Sequence, residues 1–489
     1  TDSTIYHAYY TVCHLLHGGF YGKVVGPLGV SADEMTGAVW DYVFCRTEEV
    51  PANVPKAKLD KLKGEVRYFY HMDLRVSAKD VVGNHLTMFL YVNEAVFPKE
   101  FWPKGIRING HLLLNGEKMS KSTGNFLTLR QMLTKYGSDA SRIALADAGD
   151  SVEDANFDEN AANAAILRLH NLKEWLEQVL DPNTKTPLCD KRNLIFDDAF
   201  NAEMDEIIID TKAAYDNLGF RQALKRGLFD LQICRDYYRD VCNSLKIGMS
   251  RDLIVRYAEV QALLITPIAP HFSEFIYRDL LKKDTSIQNA LFPEPSSTPS
   301  ADRKRLIKEI AYIRDVARSI RETEGQLLKK KKKGPVFDAK KPSKLTVYLA
   351  LQFPEWQAPY IDLISAKLDS LDFKDMTSDF KKDVSKLGDP KRGMQLVNTL
   401  RLQILAEPET SGDILGRDIG FDEPKVLKAA FDTIKLAAMA TNVTEVQVIV
   451  IDNGKGSDLL TNADVELTNT KPQLDATPGR PGISIVNLE

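Results

Sequence analysis

The stretch from Ile106 to Gln131, IRINGHLLLNGEKMSKSTGNFLTLRQ, constrains this chain more than any other. Its opening, IRINGHLLL, is β-branched and apolar, the composition of a buried strand. The strand is expected to stop at the turn pair Asn115-Gly116. A polar loop of small residues follows and carries Lys118 and Lys121. Thr128, with Gln131 three residues on, opens a helix as a capping box, and Gly137 is a natural stop. Upstream, RYFYHMDLRVSA (67–78) ends strand-like, and NHLTMFLYVNEAVF (84–97) has the apolar spacing of a helix. Strand, helix, strand in that order is a βαβ unit, so a parallel sheet is expected.

The loop has a chemistry of its own. Ser120, Ser122, Thr123 and Gly124 let backbone approach a ligand closely and let the loop move. Lys118 and Lys121, three apart, can turn two ammonium groups toward one polyanion. Compact, flexible charges of this kind suit phosphates that gain charge during a reaction. For an arbitrary KxxK a solvated turn is the ordinary reading; the position of this one, after a strand and before a capped helix, argues otherwise.

The rest of the chain divides by pattern. From 151 to 295 it turns helical: Ile166, Leu169, Leu172, Leu176 and Leu180 keep helical spacing, and later helices break at Pro267 and Pro270. That is the pattern of a helix bundle. FPEPSSTPSADR (292–303) is a linker by composition. The helix after it ends in Lys329, Lys330, Lys331, Lys332 and Lys333. Ala301 to Leu345 holds 15 Lys and Arg against 6 Asp and Glu. From 344 on, KLTVYLA and VQVIVID (446–452) read as strands with helices between, and ISIVNLE closes on another. The fold class is α/β plus all-α. The expected domains are 1–150, 151–295, a linker with a basic helix at 296–335, and a small α/β extension at 336–489.

Composition closes off several classes. The 489 residues are 44% hydrophobic and 27% charged, enough to bury real cores, and the net charge of −4 excludes a uniformly basic nucleic-acid binder. Five cysteines form no CxxC pair, so no zinc ribbon or disulfide framework is expected and no metal ligand is assigned. A reduced compartment is the simpler reading. No run approaches 18 apolar residues, so no transmembrane helix is expected. The chain opens without Met on Ile5, Tyr6, Tyr9, Tyr10, Val12, Leu15 and Leu16, positions of one helix face. A buried helix so early suggests more chain upstream.

KMSKS (118–122) is the signature loop of class I aminoacyl-tRNA synthetases, which this chain resembles. DLRVSAKDVVGNHLTMFLY, RINGHLLLNGEKMSKSTGNFLTL and ADAGDSVEDANFDENAANAAILRL are similar to cytosolic leucyl-tRNA synthetases of the eukaryotic and archaeal type. LLITPIAPHFSEFIY resembles their anticodon-binding-type helical domain; SIRETEGQLLKKKKKG and PGRPGISIVNLE resemble their C-terminal extension. The resemblance covers essentially the whole chain and only the C-terminal half of such an enzyme. The family's second signature, HIGH, is absent, and neither His14 nor His17-Gly18 replaces it.

The resemblance implies the C-terminal half of a Rossmann-type catalytic domain, then the anticodon-binding-type bundle, then a tRNA-contacting α/β extension. It implies ATP with Mg²⁺, leucine and tRNA(Leu) as ligands, a cytoplasmic location, and as partners the N-terminal half of the same enzyme and other synthetases. Lys121 would meet the ATP phosphates most directly, with Lys118 supporting loop closure and Met119, Ser120 and Ser122 completing the loop. Gly110 and His111 match a strand end near adenine, Asp80 an acid near the ribose, and His85 a histidine of the ATP region. Ala78 stands where the family carries Gly. Asp80 as a buried helix cap and His85 as a core histidine remain open. Asp2, Ser3 and Tyr6 line the amino-acid pocket or merely pack. The lysine run meets tRNA or serves as a tether. Arg221, Lys225, Arg226, Arg235 and Arg239 form an RNA-facing stripe or a solvated face balanced by Asp230, Asp236 and Asp240. Without HIGH, this chain alone is expected to be inactive. The alternatives are a non-catalytic tRNA-binding or scaffold piece, and a ligase for another aliphatic amino acid.

Overall fold

The computed structural model describes residues 2–190, 195–329, 337–406, 408, 411–438 and 440–488. They fall into two compact units: 1–174 with 212–225 and 265–273, and 175–211 with 226–264 and 274–489.

In the first unit, helix α1 (Asp2–Tyr10) and helix α2 (Lys56–Phe69) share a core. Leu59, Leu62 and Val66, one face of α2, pack with Ala8, Val12, Leu15 and Leu16. Ile5, Tyr6 and Tyr10, which the spacing places on that same face, are exposed. α1 ends at Tyr10 and a new helix begins at Cys13, so the stripe is broken: Ala8, Leu15 and Leu16 are buried while Tyr6 and Tyr10 pair with each other, their ring centroids 5.4 Å apart.

Strand β1 (Arg75–Ala78) leads through a π turn into helix α3 (Thr87–Val96) and back to strand β2 (Ile106–Asn109). The two strands pair in parallel, Arg75 with Ile106 and Ala78 with Asn109. This is the βαβ unit the sequence predicts.

The expected single buried strand over 106–114 is in fact two. β2 ends at Asn109, and β3 (Leu112–Leu114) belongs to another sheet, antiparallel to β4 (Glu117–Lys118) and parallel to β5 (Ala155–Phe157). Gly110 is where the path breaks. A Cβ there would lie 2.2 Å from the Glu153 carbonyl oxygen, so only glycine lets that segment cross. Nor is the run buried throughout: Leu114 is, while Asn109 and Leu112 are exposed.

Helix α4 (Leu129–Tyr136) starts on the predicted capping box. Thr128 Oγ1 accepts from Gln131 N at 3.2 Å, and Gln131 Oε1 accepts from Thr128 N at 2.9 Å. Gly137, at φ +74°, ends it. Helix α5 (Ser138–Ala148) follows.

Four long helices come next: α6 (Glu159–Leu180), α7 (Ile195–Asp216), α8 (Leu231–Ser244) and α9 (Arg251–Ile265). In the second unit Tyr238 donates to Asp197 Oδ1 at 2.6 Å and stacks on Phe200 at 4.8 Å. Helix α9 stops before Pro267, and the next begins at Pro270, as the prolines dictate.

The proline-rich stretch after 291 is less free than its composition suggests. Ser296 N donates to Asp205 Oδ1 at 2.7 Å and Ser296 Oγ to Oδ2 at 2.9 Å. Arg256 and Arg303 reach the same buried carboxylate at 2.5 and 3.2 Å. Ala301 already belongs to helix α10 (Ala301–Lys329), whose Ile310, Ile313, Val316 and Ile320 are buried.

The closing α/β part is a five-stranded sheet. Its order is β9 (Asp464–Val465), β8 (Lys455–Asp458), β7 (Val443–Asp452), β6 (Ser343–Ala350), β10 (Gly482–Asn487). β6 and β7 pair in parallel, with helices between them; the other pairs are antiparallel. Leu345, Val347 and Leu349 are fully buried. No described helix is long and apolar enough to cross a membrane.

Candidate nucleotide site around the Lys118–Ser122 loop

Asn115 (φ +51°) and Gly116 (φ +84°) join β3 to β4. Positive φ at both residues is what a tight two-residue hairpin requires, and Asn-Gly is its preferred pair. β4 then carries Glu117 and Lys118 into the loop.

The loop closes on itself. Ser120 N donates to the Asn125 carbonyl at 3.0 Å. Asn125 Nδ2 reaches back to the Lys118 carbonyl at 3.3 Å. Ser120 and Ser122 share a hydroxyl contact at 2.8 Å, and Thr123 Oγ1 donates to the Ser120 carbonyl at 3.3 Å. Gly124 turns the chain at φ +73°. Met119 sits half-buried against Leu114, Tyr136 and Phe157, anchoring the loop from beneath. Lys118 and Lys121 are exposed, and neither has an ion-pair partner among the described residues. Two unpaired cations are thus presented on a backbone that is already ordered.

The strand end carries a second cluster. Asp154 Oδ1 accepts from His111 N at 2.8 Å, lies 3.6 Å from His111 Nδ1, and pairs with Lys79 Nζ at 2.6 Å. Lys79, then the His111 amide, hold the Asp154 carboxyl below its ordinary range. Gly110 and His111 are therefore brought together with Asp154 and with the residue beside Asp80. Asp80 itself is exposed in the 3-10 turn Lys79–Val81 and has no partner among the described residues; it is not a buried cap.

His85 is half-buried rather than a core histidine. Arg75 Nη2 donates to its Nε2 at 2.7 Å, which requires the neutral ring. Burial, then Arg75, lowers its pKa. Arg75 also lies over the Phe89 ring at 4.3 Å. His7 packs edge-on against Phe89 at 6.3 Å, and Tyr6 against His7 at 4.7 Å. So α1 brings Tyr6 into the chain of rings that reaches His85. Asp2 and Ser3 lie in the same helix; their side chains are outside the description.

The arginine series is not a free stripe. Arg226 pairs with Asp210 and Asp230, Arg235 with Asp236 over the Trp175 ring, Arg239 with Asp236 and Asp240, and Arg221 with Asp147. Each of these four arginines has an acid, but Arg235 is buried and Arg221 and Arg226 pair with Asp147 and Asp210, so the series is neither an open cationic stripe nor a solvated face balanced by Asp230, Asp236 and Asp240 alone. Lys329 is exposed at the end of α10; Lys330 to Lys333 lie outside the described residues.

Asp154, Asn125, Arg75 and Glu159 escaped the sequence reading. Each acts through a partner distant in sequence or through backbone carbonyls, which no local pattern records.

Two family profiles match the chain. Residues 67–176 match "tRNA synthetases class I (M)", and residues 197–336 match the "Anticodon-binding domain of tRNA ligase". The cytoplasmic leucine–tRNA ligase of Saccharomyces cerevisiae is 47% identical over 499 aligned residues, covering 100% of this chain and 44% of that protein. That of Neurospora crassa is 41% identical, with the same coverage of 100% and 44%. The leucine–tRNA ligase of Aeropyrum pernix is 32% identical over 67% of this chain and 33% of that protein. The chain thus spans less than half the length of these relatives, in their C-terminal part. It combines a class I synthetase catalytic-type region with an anticodon-binding region, and it belongs to the leucine–tRNA ligase family of class I aminoacyl-tRNA synthetases.

Proposed function

We propose that this chain is the KMSKS-bearing part of a cytoplasmic leucine–tRNA ligase. In the reaction a leucine carboxylate oxygen attacks the α-phosphorus of ATP, and pyrophosphate leaves. A terminal tRNA hydroxyl then attacks the leucyl-adenylate carbonyl and AMP leaves. The observation that carries this reading is the pair Lys118 and Lys121: exposed, without ion pairs among the described residues, on a loop ordered by Ser120, Ser122 and Asn125.

In this reading Lys121 stabilises charge developing on the phosphates, and Lys118 helps bring the loop down on them. Met119, Ser120 and Ser122 shape the loop. Gly110 and His111 border the adenine, Asp80 faces the ribose, His85 serves the ATP region, and Tyr6, with Asp2 and Ser3, lines the amino-acid side. Mg²⁺ enters with ATP as part of the substrate. The domain order is a Rossmann-type catalytic half (1–150), an anticodon-binding-type bundle (151–295), a linker with a basic helix (296–335) and an α/β extension that meets tRNA (336–489). The N-terminal part of the enzyme, tRNA(Leu) and other synthetases are its partners.

The test is leucine-dependent ATP–pyrophosphate exchange and charging of tRNA(Leu) by a full-length enzyme carrying this sequence. Valine and isoleucine serve as competing substrates. Exchange with leucine far above both is expected. Preference for another aliphatic amino acid, or tRNA binding without exchange, refutes the assignment.

A further inference from the structure

Both stems of the loop converge on one carboxylate. Before the loop, Asn115 Nδ2 donates to Glu159 Oε2 at 3.0 Å, and the Glu159 amide donates back to Asn115 Oδ1 at 3.1 Å. Glu159 opens α6, so this reciprocal pair also caps that helix. After the loop, Lys135 and Tyr136, in the last turn of α4, both donate to Glu159 Oε1. The neighbouring backbone adds two more ties: Gly116 N donates to Asn156 Oδ1 at 2.6 Å, and Asn115 N to the Phe157 carbonyl at 3.0 Å. The hairpin turn and the following helix are thus cross-linked at the start of α6. Between them Glu117 and Lys118 pair with β3, Met119 and Leu127 pack on the core beneath, and Ser120 to Asn125 are tied by bonds within the loop.

That arrangement describes a flap on a fixed base. The spacing of the two stems decides where the flap can swing, and Glu159 sets that spacing. We infer that Glu159 is a positioning residue for the Lys118–Ser122 loop. It clamps the Asn115-Gly116 turn to the Lys135-Tyr136 end of α4, so that Lys118 and Lys121 return to one place over the phosphates. Nothing in this role requires Glu159 to touch substrate. The inference rests on the reading of the loop as the phosphate-binding element.

The geometry separates this role from plain stability. Asn115, Lys135, Tyr136 and Glu159 surround the base of a single loop, and Glu159 is partly exposed rather than deep in a core. Releasing the clamp should therefore loosen residues 115–128 and leave the β1–β2 pair alone. A misplacement of about 1 Å at a reacting group can cost on the order of 100-fold in rate. A loosened clamp still samples the productive position, so a smaller loss is expected, about 10- to 50-fold.

The experiment uses the full-length ligase, with Glu159→Ala, Glu159→Gln and Lys121→Ala in parallel. Glu159→Ala should lower kcat for leucine-dependent exchange about 10- to 50-fold, with KM for leucine within about 2-fold. Glu159→Gln keeps an acceptor for Asn115 and should recover part of that loss. Backbone amides of 115–128 should exchange hydrogen faster in Glu159→Ala, and those of 75–78 and 106–109 should not. Wild-type kcat in Glu159→Ala, or faster exchange spread over both regions, overturns the inference. If Lys121→Ala also leaves the rate unchanged, the reading of the loop itself fails. If Lys121→Ala loses activity while Glu159→Ala keeps the wild-type kcat, only the positioning role falls.

Discussion

Lys121 is the single residue on which the proposed chemistry leans hardest. Replacing it with Ala removes a donor whose contact strengthens as charge develops. Such donors are worth about 2.7–4 kcal/mol, roughly 100- to 1,000-fold in kcat. Single-turnover adenylate formation should show that loss with leucine affinity nearly unchanged; Lys118→Ala should show a smaller one. Gly110 makes a different prediction, because its constraint is steric. A methyl group at 110 would sit 2.2 Å from the Glu153 oxygen and 2.8 Å from the Asp154 nitrogen, so backbone must move. Gly110→Ala should cost about 1–3 kcal/mol in denaturant unfolding and displace His111 from Asp154. The KMSKS string and the Asn-Gly turn were legible in sequence because each is a local pattern. Gly110 was legible as a candidate, but its reason was not: the clashing carbonyl lies 43 residues on.

Secondary-structure elements carry the next set of effects. The first turn of α6 and the last turn of α4 share Glu159, whose carboxyl is held down to about 2 by Lys135 first, then Tyr136 and Asn115. Its pKa in the folded chain is thus below the ordinary 4.5. A depressed carboxylate contributes stability that is complete above the unfolded value and is lost as pH falls through the folded one. Order at the loop base should therefore hold above about pH 4.5 and fade toward pH 2, as loop-amide exchange at graded pH will show. At the far end of α10 the run Lys329 to Lys333 makes its own prediction. If two or three of the five lysines meet phosphates, replacing all five with Gln flattens the slope of log tRNA affinity against log salt by about 1.5 to 2.5. An unchanged slope in a salt titration identifies a tether instead. The arginine series shows how an element can mislead. Helical spacing aligned the cations, but Asp210 and Asp147, which complete the pairing, sit on other elements.

Across the whole molecule, buried charge and exposed apolar surface pull in opposite directions. In the second unit Asp205 is fully buried and gathers Arg256, Arg303, Ser296 and Ser297. Burial pushes its pKa up, but the Ser296 and Arg256 hydrogen bonds win and hold it low. Asp205→Ala takes from Arg303, whose side chain is 4% exposed, one of its two acids, leaving Glu206 at 2.9 Å, and leaves the Ser296 amide without its acceptor. It should cost about 1–3 kcal/mol by chemical denaturation. In the first unit, by contrast, Phe20 and Tyr21 are 96% and 84% exposed, and β1 and β2 form a sheet of only two described strands. Open strand edges and exposed aromatics invite association. Residues 1–489 contain no HIGH sequence. Purified alone, they are expected to self-associate by light scattering and to give no leucine-dependent exchange.

The sequence by itself determined what short-range physics controls. The capping box at Thr128, the turn at Asn115-Gly116, the helix break at Pro267 and Pro270, and the βαβ order each follow from dihedral preferences or apolar periodicity within a few residues. Tertiary structure alone decided the rest. It split 106–114 into two strands because Glu153 and Asp154 cross at Gly110. It pinned a proline-rich stretch by way of Asp205. It tied both loop stems to Glu159, 41 residues after Lys118. Such contacts depend on chain reversals far apart in sequence, and a buried or bridging carboxylate looks, in sequence, like any other acid.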